Sequence, residues 1–264
     1  MCTLVILHHV HPEWPLLLAA NRDELYARPS APAQFLAGPR LLVAGLDDVR
    51  GGTWMGVTEG GFFVGLTNQP AGPARLPAPA SRGEVVAEAL RHGSLEAAER
   101  YLEGLNPADF GPFNLLYGDT RRLRVAYARP TAGRLTFGDV PPGIHVLPND
   151  VLDAPHLPKV ARARGLAEAS ARRPGPGLVD GLQHLLADHA LPPLDQMPEP
   201  PAVTGMTREQ VRPYQALCIH TPHYGTRSSA LVALAPGRPA RFLASDGPPC
   251  QHAFRELEIP PSRA

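Results

Sequence analysis

The sequence predicts an α+β fold in which two antiparallel sheets stack between two layers of helices. Short apolar segments with strand character are separated by glycine- and proline-containing turns. Helical periodicity is confined to two pairs of segments, so the order along the chain is strands, two helices, strands, two helices, strands. Because each sheet needs a layer to cover its apolar face, this order favours the stacked arrangement. We expect residues 1–264 to form a single domain.

Composition excludes several functional classes. The chain has 25 basic and 25 acidic residues and no basic stripe, so we expect no nucleic-acid partner. Its three cysteines, Cys2, Cys218 and Cys250, lack the paired spacing of a zinc site or disulfide framework. We therefore expect no metal, a reducing compartment, and packing roles for Cys218 and Cys250. With no membrane span of ~20 apolar residues and no secretory signal, the protein is expected to be cytoplasmic.

The first predicted strand, residues 4–7, directly follows Cys2. Removal of the start methionine before so small a residue would leave Cys2 at the N-terminus. The α-amine, with a reference pKa of ~7.7–8.0, could then act as base for the thiol of the same residue, whose reference pKa is ~8.5. A buried cysteine can also be a small hydrophobic residue without a chemical role. The opening residues alone leave both interpretations open.

Histidines cluster after this first strand. His8, His9, His11 and Glu13 precede Pro15, and imidazole is a common metal ligand. Neighbouring side chains of an extended chain point to opposite faces, so His8 and His9 are not expected to share an ion. We predict a solvated loop here.

A second strand, residues 16–20, is predicted to pair antiparallel with the first and to end at Asn21, Arg22, Asp23 and Glu24. Four consecutive polar side chains are costly to bury unless they are paired. They could form a surface turn with an Arg–Asp pair, or a polar cluster beside the Cys2 thiol. The residues alone do not choose between the two.

Strands are next predicted over 41–46, 53–57 and 62–68, the last ending at Asn68. The proline-rich residues 70–79 cannot form a helix or a central strand, and they are expected to form a surface loop.

Apolar residues at helical spacing predict two helices after that loop, with Ser81 and Ser94 as N-caps. The rest of the chain repeats the order of strands, paired helices and strands. Its predicted strands are 113–117, 123–127, 134–137, 143–147, 216–220, 227–234, 241–244 and 254–259, and its helices are 159–172 and 178–189. The loops at 28–40, 70–80 and 191–205 are expected to line a pocket.

Five spaced motifs, MCTLVIL, NRDE at 21–24, GGTWMGV, GLTNQP and YGTRSS, together resemble the NRDE family, also called the transport and Golgi organisation protein 2 family. That family is similar to the N-terminal nucleophile hydrolases, in particular the cysteine branch with penicillin V acylase, bile salt hydrolase and acid ceramidase. The resemblance implies a four-layer αββα sandwich, which agrees with the element order.

The resemblance also implies roles for individual residues. Cys2 matches the branch's nucleophile, and Arg22 with Asp23 matches an arginine and an aspartate that steady the thiolate. The compressed spacing leaves two pairs that could face Cys2, Arg22 with Asp23, which we prefer, and Asn21 with Glu24. Alternation means that Arg22 and Asp23 cannot both face Cys2 unless the strand bends. Asn21 and Glu24 are otherwise expected to bind substrate.

Two asparagines match the branch's oxyanion donors. Asn68 follows a Gly-Leu strand end, and Asn149 lies in HVLPND. Such a preorganised donor is typically worth ~2.7–4 kcal/mol of barrier. Arg227 in YGTRSS is expected to bind a substrate carboxylate, with an internal acid as its alternative partner.

The implied function is hydrolysis of a non-peptide C–N amide bond in a small acylated substrate, without cofactor or metal. The resemblance also implies an alternative, a non-catalytic carrier of haem or lipid. A haem carrier needs an apolar cavity and a ligand, for which His145, His220 and His223 are candidates.

Overall fold

The computed structural model describes residues 2–36, 42–70, 79–200 and 205–259, and within them the chain forms thirteen strands and five α-helices. The strands are β1 Cys2–His8, β2 Leu16–Leu25, β3 Ser30–Leu36, β4 Leu42–Asp47, β5 Met55–Thr58, β6 Phe63–Asn68, β7 Phe113–Gly118, β8 Leu123–Ala128, β9 Thr136–Asp139, β10 Gly143–Leu147, β11 Tyr224–Leu234, β12 Arg241–Ser245 and β13 Arg255–Glu258. The helices are α1 Arg82–His92, α2 Leu95–Glu103, α3 Pro158–Ala171, α4 Pro176–Leu186 and α5 Arg208–Val211.

The strands form two antiparallel sheets. The six-stranded sheet has the order β10-β1-β2-β11-β12-β13, and the seven-stranded sheet runs from β3 to β9 in chain order. Helices α3 and α4 cover the first sheet, and α1 and α2 cover the second. The predicted α+β fold, an αββα sandwich, is confirmed.

Side-chain alternation in β1 explains why this strand lies inside the sandwich. Leu4 and Ile6 point into the core between the sheets, whereas Val5 and Leu7 pack against the layer of α3 and α4. A strand with apolar residues on both faces must be covered on both sides. This requirement places the first residues of the chain at the centre of the molecule.

The predicted starts of the first two helices are confirmed. Helix α1 follows Ser81, which makes no side-chain cap hydrogen bond, and α2 follows Ser94, whose hydroxyl accepts a hydrogen bond from the Ala97 amide at 3.3 Å. Such a bond satisfies one of the free amides of the first helical turn.

Two predicted elements are wrong. Residues 30–36 form strand β3, although 28–40 was expected to be a loop. Residues 216–220 do not form a strand, because the backbone groups of Leu217 and Ile219 bond to side chains of neighbouring strands instead of a continuous ladder. Most of the proline-rich 70–79 loop lies outside the described residues, as do 37–41 and 201–204.

The histidines after β1 also differ from expectation. His8 is buried, and its Nδ1 lies 3.0 Å from the Val140 carbonyl oxygen, so a solvated loop is wrong for this residue. His9 has a φ of 54°, which takes it out of the extended conformation, and its ring lies 4.6 Å from that of His8. The prediction that His8 and His9 point to opposite faces assumed an extended backbone, which His9 does not adopt.

In the part of the chain that the structure describes, no helix is long and apolar enough to cross a membrane.

Leucine-to-alanine changes test the layer between α1 and the seven-stranded sheet. Leu90 in α1 is fully buried, so Leu90→Ala should lower the free energy of unfolding by about 2–5 kcal/mol, measured by urea denaturation. Leu191→Ala is the matched control, because Leu191 is 40% exposed and should lose far less. Equal losses for the two variants would contradict the packing described here.

Candidate active site

The NRDE residues lie within β2 and not beyond its end. β2 continues to Leu25 and pairs with β1 on one side and β11 on the other. The register sets Cys2 opposite Arg22, and Arg22 opposite Ser228. Directly opposed residues present their side chains on the same face, so Arg22 shares the face of Cys2, whereas Asn21 and Asp23 lie on the other face.

Arg22 is a buried cation on the Cys2 face. It is 6% exposed, its guanidinium lies 4.2 Å from the centre of the Trp54 ring, and it donates a long hydrogen bond of 3.4 Å to the Ser30 hydroxyl. Burial lowers the pKa of Arg22, and the Cys2 thiol opposes that shift when it is ionised. Within the described residues Arg22 has no salt bridge to a carboxylate, and the charges of Glu24 and Asp47 act on it from beyond salt-bridge distance.

Cys2 is 8% exposed. Burial is the main cause of a raised pKa for its thiol, and the negative charge of Asp23 adds to the rise. The positive charge of Arg22 and a hydrogen bond from the Asp23 backbone act in the opposite direction. Formation of the thiolate at this position therefore depends on nearby positive charge.

Asn21 is fixed on the opposite face of β2. Its amide nitrogen donates to the carbonyl oxygens of Leu186 at 2.8 Å and Leu217 at 2.7 Å, and its oxygen accepts from the Ser229 hydroxyl at 2.5 Å. These three bonds connect β2 to the end of α4, to the segment before β11 and to β11 itself. Asn21 is thus engaged structurally and faces away from Cys2.

Asp23 is buried on the same face as Asn21. Its Oδ1 accepts a hydrogen bond of 2.6 Å from the Thr226 hydroxyl, which in turn accepts one of 2.9 Å from the Ile219 amide. Burial raises the pKa of Asp23, while the buried cation Lys159 lowers it. Asp23 can therefore influence Cys2 through charge and through its backbone, but its carboxyl lies on the other face of the strand.

Glu24 and Arg227 lie at the periphery of this arrangement. Glu24 accepts a hydrogen bond from the Leu25 amide and pairs with Arg28 at 3.9 Å. Arg227 sits at a bulge in β11 and donates to the Tyr26 carbonyl oxygen at 2.6 Å. The structure therefore does not bring Arg227 into contact with Cys2 or Arg22.

Asn149 and Asn68 lie next to each other. The Asn149 amide donates to the Asn68 carbonyl oxygen at 2.6 Å. Strand β10 ends at Leu147, which pairs with Leu4 of β1, so Asn149 lies two residues beyond the end of that strand. Neither Asn149 nor Asn68 is among the described residues that line the cavity beside Cys2.

Asn114 is a site residue that sequence reasoning missed. This buried side chain donates to the Thr67 hydroxyl at 2.9 Å and to the carbonyl oxygens of Pro148 at 3.3 Å and Asp150 at 2.7 Å. It therefore holds both residues that flank Asn149. An asparagine inside the apolar strand segment FNLLY was the available signal, because such a polar group is buried only when it is bonded.

Arg82 is a second residue that sequence reasoning missed. It is partly buried at the first position of α1, and the charge of Cys2 acts on its pKa, which burial lowers. The GGTW motif lets the start of α1, where Arg82 lies, pack directly against the turn at Gly52. Gly52 has a φ of 77°, and a Cβ there would lie 2.2 Å from the Gly83 backbone. Only glycine allows α1 to start so close to this turn.

A narrow cavity of about 20 Å³ opens beside Cys2 between the two sheets. Most of its wall is apolar, and its polar lining residues are Asn21, Arg22, Ser228, Ser229, Ser245 and Asp246. The apolar lining is formed by Leu4, Ala20, Ala33, Trp54, Met55, Leu66, Ala230, Phe242 and Ala244. This space holds about one water-sized group.

The histidines considered as haem ligands lie elsewhere. Both ring nitrogens of His145 are engaged, with Asp153 at 2.7 Å and the Pro141 carbonyl oxygen at 3.0 Å. His220 lies 3.3 Å from the Cys250 sulfur. His223 is exposed in the turn before β11. None of the three lines the cavity beside Cys2, as far as the described residues go.

A family profile and two homologous proteins match most of this chain and carry the same family name. The profile of the family described as Transport and Golgi organisation 2 matches residues 1–243. The Transport and Golgi organization protein 2 homolog of Bos taurus is 32% identical over 234 residues, covering 82% of this chain and 81% of that protein. The Homo sapiens homolog is 30% identical over 230 residues, with the same coverage.

Solved structures show the same fold at low identity. A mutant conjugated bile acid hydrolase from Clostridium perfringens is 12% identical, with a TM-score of 0.59 and coverage of 98% of this chain and 92% of that chain. The Caenorhabditis elegans ortholog of N-acylethanolamine-hydrolyzing acid amidase is 12% identical, with a TM-score of 0.53 and coverage of 98% and 100%. The fold is therefore like that of the N-terminal nucleophile hydrolases.

Two threonine-to-valine changes test the polar network behind β2. Thr226→Val removes the hydroxyl between Asp23 and the Ile219 amide, and it should cost about 1–3 kcal/mol of unfolding free energy because buried polar partners lose their bonds. Thr3→Val is the matched control, since within the described residues its buried hydroxyl has no partner. We expect Thr3→Val to be neutral or stabilising in urea denaturation, and an equal loss in both variants would contradict the network.

Proposed function

The chain belongs to the Transport and Golgi organisation 2 family, and we propose that it is a cysteine N-terminal nucleophile hydrolase that cleaves the C–N amide bond of a small acylated substrate. The observation that supports this most directly is the strand register that sets Cys2 opposite the buried Arg22, beside an apolar cavity. The fold shared with a bile acid hydrolase and an acid amidase is consistent with amide hydrolysis.

The proposed reaction begins once Met1, which lies outside the described residues, has been removed. The α-amine of Cys2 takes the thiol proton while the sulfur attacks the amide carbonyl carbon, forming a C–S bond and an oxyanion. Collapse of this intermediate breaks the C–N bond, and the leaving amine takes the proton from the α-ammonium. Water then attacks the thioester with the α-amine as base, releasing the carboxylic acid and restoring the thiol.

Charge stabilisation is assigned to Arg22 and to the two asparagines, Asn149 and Asn68. Arg22 would stabilise the thiolate, because its guanidinium is buried on the face of Cys2 and forms no salt bridge to a carboxylate among the described residues. Asn149 and Asn68 would donate to the oxyanion. Asp23 would position the α-amine of Cys2. Its carboxyl lies on the opposite face of β2, but its backbone is next to Cys2 and its charge acts on that residue.

The cavity favours a particular substrate orientation. Its walls are mostly apolar, which suits an acyl group better than a charged amine. The cavity would have to widen to admit the acyl group, and the leaving amine would point outward towards Glu24 and Arg227. Asn21 has all of its described polar contacts within the protein, so it would act by fixing β2 and not by touching substrate.

The haem-carrier alternative has less support. Both ring nitrogens of His145 are bonded, and none of the three candidate histidines lines the cavity beside Cys2, as far as the described residues go. The cavity would have to widen for a lipid tail, as it would for the acyl group of a substrate. No observation on the described residues favours a carrier over a hydrolase.

Intact mass and acylation test the mechanism together. We expect the natively expressed protein to lack Met1 and to gain one acyl group on the N-terminal peptide when treated with an electrophilic acyl probe. Cys2→Ala should abolish this label and the hydrolysis of N-acyl amides, because the nucleophile is lost.

The matched control is a protein with one uncleaved residue before Cys2, which keeps the thiol but blocks its amine. This form should acylate far more slowly. Retention of Met1 in the native protein, or equal acylation of the blocked form, would contradict the proposal.

The pH dependence of thiol alkylation tests the role of Arg22. Its positive charge lowers the pKa of Cys2, so Arg22→Gln should move the alkylation midpoint of Cys2 to higher pH, with less thiolate at any given pH below it. Arg22→Lys keeps the charge and should leave the midpoint close to wild type. Alkylation is followed by mass spectrometry of the N-terminal peptide, with circular dichroism to check folding.

Arg121→Gln is the control for an exposed arginine, and its alkylation profile should match wild type. A midpoint for Arg22→Gln that stays in place, or falls, would remove Arg22 from the proposed mechanism.

A further inference from the structure

Four potential metal ligands meet on the surface beside the start of β11. The ligand atoms of His189, Cys218, His220 and Cys250 all lie within 4.8 Å of one another. Cys218 is buried, but Cys250 is exposed, so the predicted packing role is wrong for Cys250. The four residues come from three separate parts of the chain, and sequence spacing therefore could not reveal them.

The distances within this group match a tetrahedron. The two sulfurs are 3.8 Å apart, and the His220 Nε2 lies 3.7 Å from the Cys218 sulfur and 3.3 Å from the Cys250 sulfur. Zinc bonds of ~2.3 Å to sulfur and ~2.0–2.1 Å to nitrogen give edges of about 3.8 Å between sulfurs and about 3.5 Å between sulfur and nitrogen. The group is thus already close to the spacing of a bound ion.

The ring of His189 is oriented so that its Nε2 can serve as the fourth ligand of the tetrahedron. Its Nδ1 lies 3.1 Å from the Cys218 carbonyl oxygen, and its ring centre is 5.1 Å from that of His220. With Nδ1 donating to the carbonyl, Nε2 keeps its lone pair for a metal. This is the outer hydrogen bond that usually accompanies a histidine ligand.

We propose that His189, Cys218, His220 and Cys250 bind one Zn²⁺ ion. Two thiolates and two imidazoles in tetrahedral geometry are the donor set typical of zinc. On binding, each thiol forms a Zn–S bond and releases its proton to solvent, so the ion replaces two protons without any redox step. Three of the four residues are exposed, so the ion can enter from solvent.

The site would stabilise the segment behind β2. Cys218 and His220 enclose Ile219, whose amide donates to Thr226, the partner of Asp23. The preceding Leu217 accepts the hydrogen bond from Asn21. A metal bound here would fix the irregular 217–220 segment, which forms no strand of its own, and would do so whether or not Cys2 is catalytic.

Metal analysis and cobalt substitution test this site on the full chain. We expect protein purified under reducing conditions to contain one equivalent of zinc by elemental mass spectrometry, and a chelator to remove it and lower Tm. Adding Co²⁺ to the stripped protein should produce the visible bands of tetrahedral cobalt and thiolate-to-cobalt charge transfer. Cys250→Ser and His189→Ala, both changes at exposed positions, should each weaken Co²⁺ binding by more than about 10-fold.

His223→Ala is the matched control, because this exposed histidine is three residues from His220 but outside the group. It should bind Co²⁺ as wild type does. The proposal is overturned if Co²⁺ gives no thiolate charge transfer, or if Cys250→Ser and His223→Ala bind it equally. A Cys218–Cys250 disulfide in metal-free protein purified without oxygen, seen as the loss of two hydrogens in intact mass, would also overturn it.

Discussion

The pairing of β2 with both β1 and β11 is the constraint on which the rest of the site depends. Because side chains alternate along a strand, this pairing sends Arg22 to the face of Cys2 and sends Asn21 and Asp23 to the face of α3 and α4. A slip of one residue would exchange the two sets and place Leu17 and Ala19 in the wrong core. The apolar residues of β2 therefore fix the positions of its polar ones.

The two faces treat their polar groups differently. On the helix-side face, Asn21 and Asp23 bond to Leu186, Leu217, Ser229 and Thr226, so the cost of burying them is offset. On the face of Cys2, Arg22 has a ring beneath it and one long hydrogen bond. Burying a polar group with few partners costs free energy, and proteins keep such groups mainly at functional sites. This asymmetry favours the Cys2 face as the place of the proposed chemistry.

The sandwich could be predicted from the sequence because each strand and helix has its own apolar periodicity, which can be recognised in a short segment. The partners of a residue could not be predicted where they are distant in the chain. The segment 216–220 was predicted as a strand from its apolar character, yet its backbone bonds to Asn21 and Thr226 instead. Asn68 and Asn149 were selected through a family resemblance, but Asn114 and Arg82, which lie 46 and 14 residues beyond Asn68, required tertiary contacts to find. The sequence identified the residues of the NRDE cluster, but the pairing of β2 with β1 and β11 was needed to tell which of them lie on the face of Cys2.

Burial shifts the pKa values of Cys2 and Arg22 in opposite directions, and these shifts make the charge states of the two residues depend on each other. It raises the pKa of the thiol and lowers that of the guanidinium, so burial disfavours the charged form of each group. Each charge relieves the other, because a thiolate beside the guanidinium compensates the loss of water for both. An oxyanion formed on a bound acyl group would satisfy Arg22 in the same way when the sulfur becomes neutral. The cation then remains paired while negative charge moves from sulfur to oxygen, which is how a preorganised site lowers a barrier without having to reorganise.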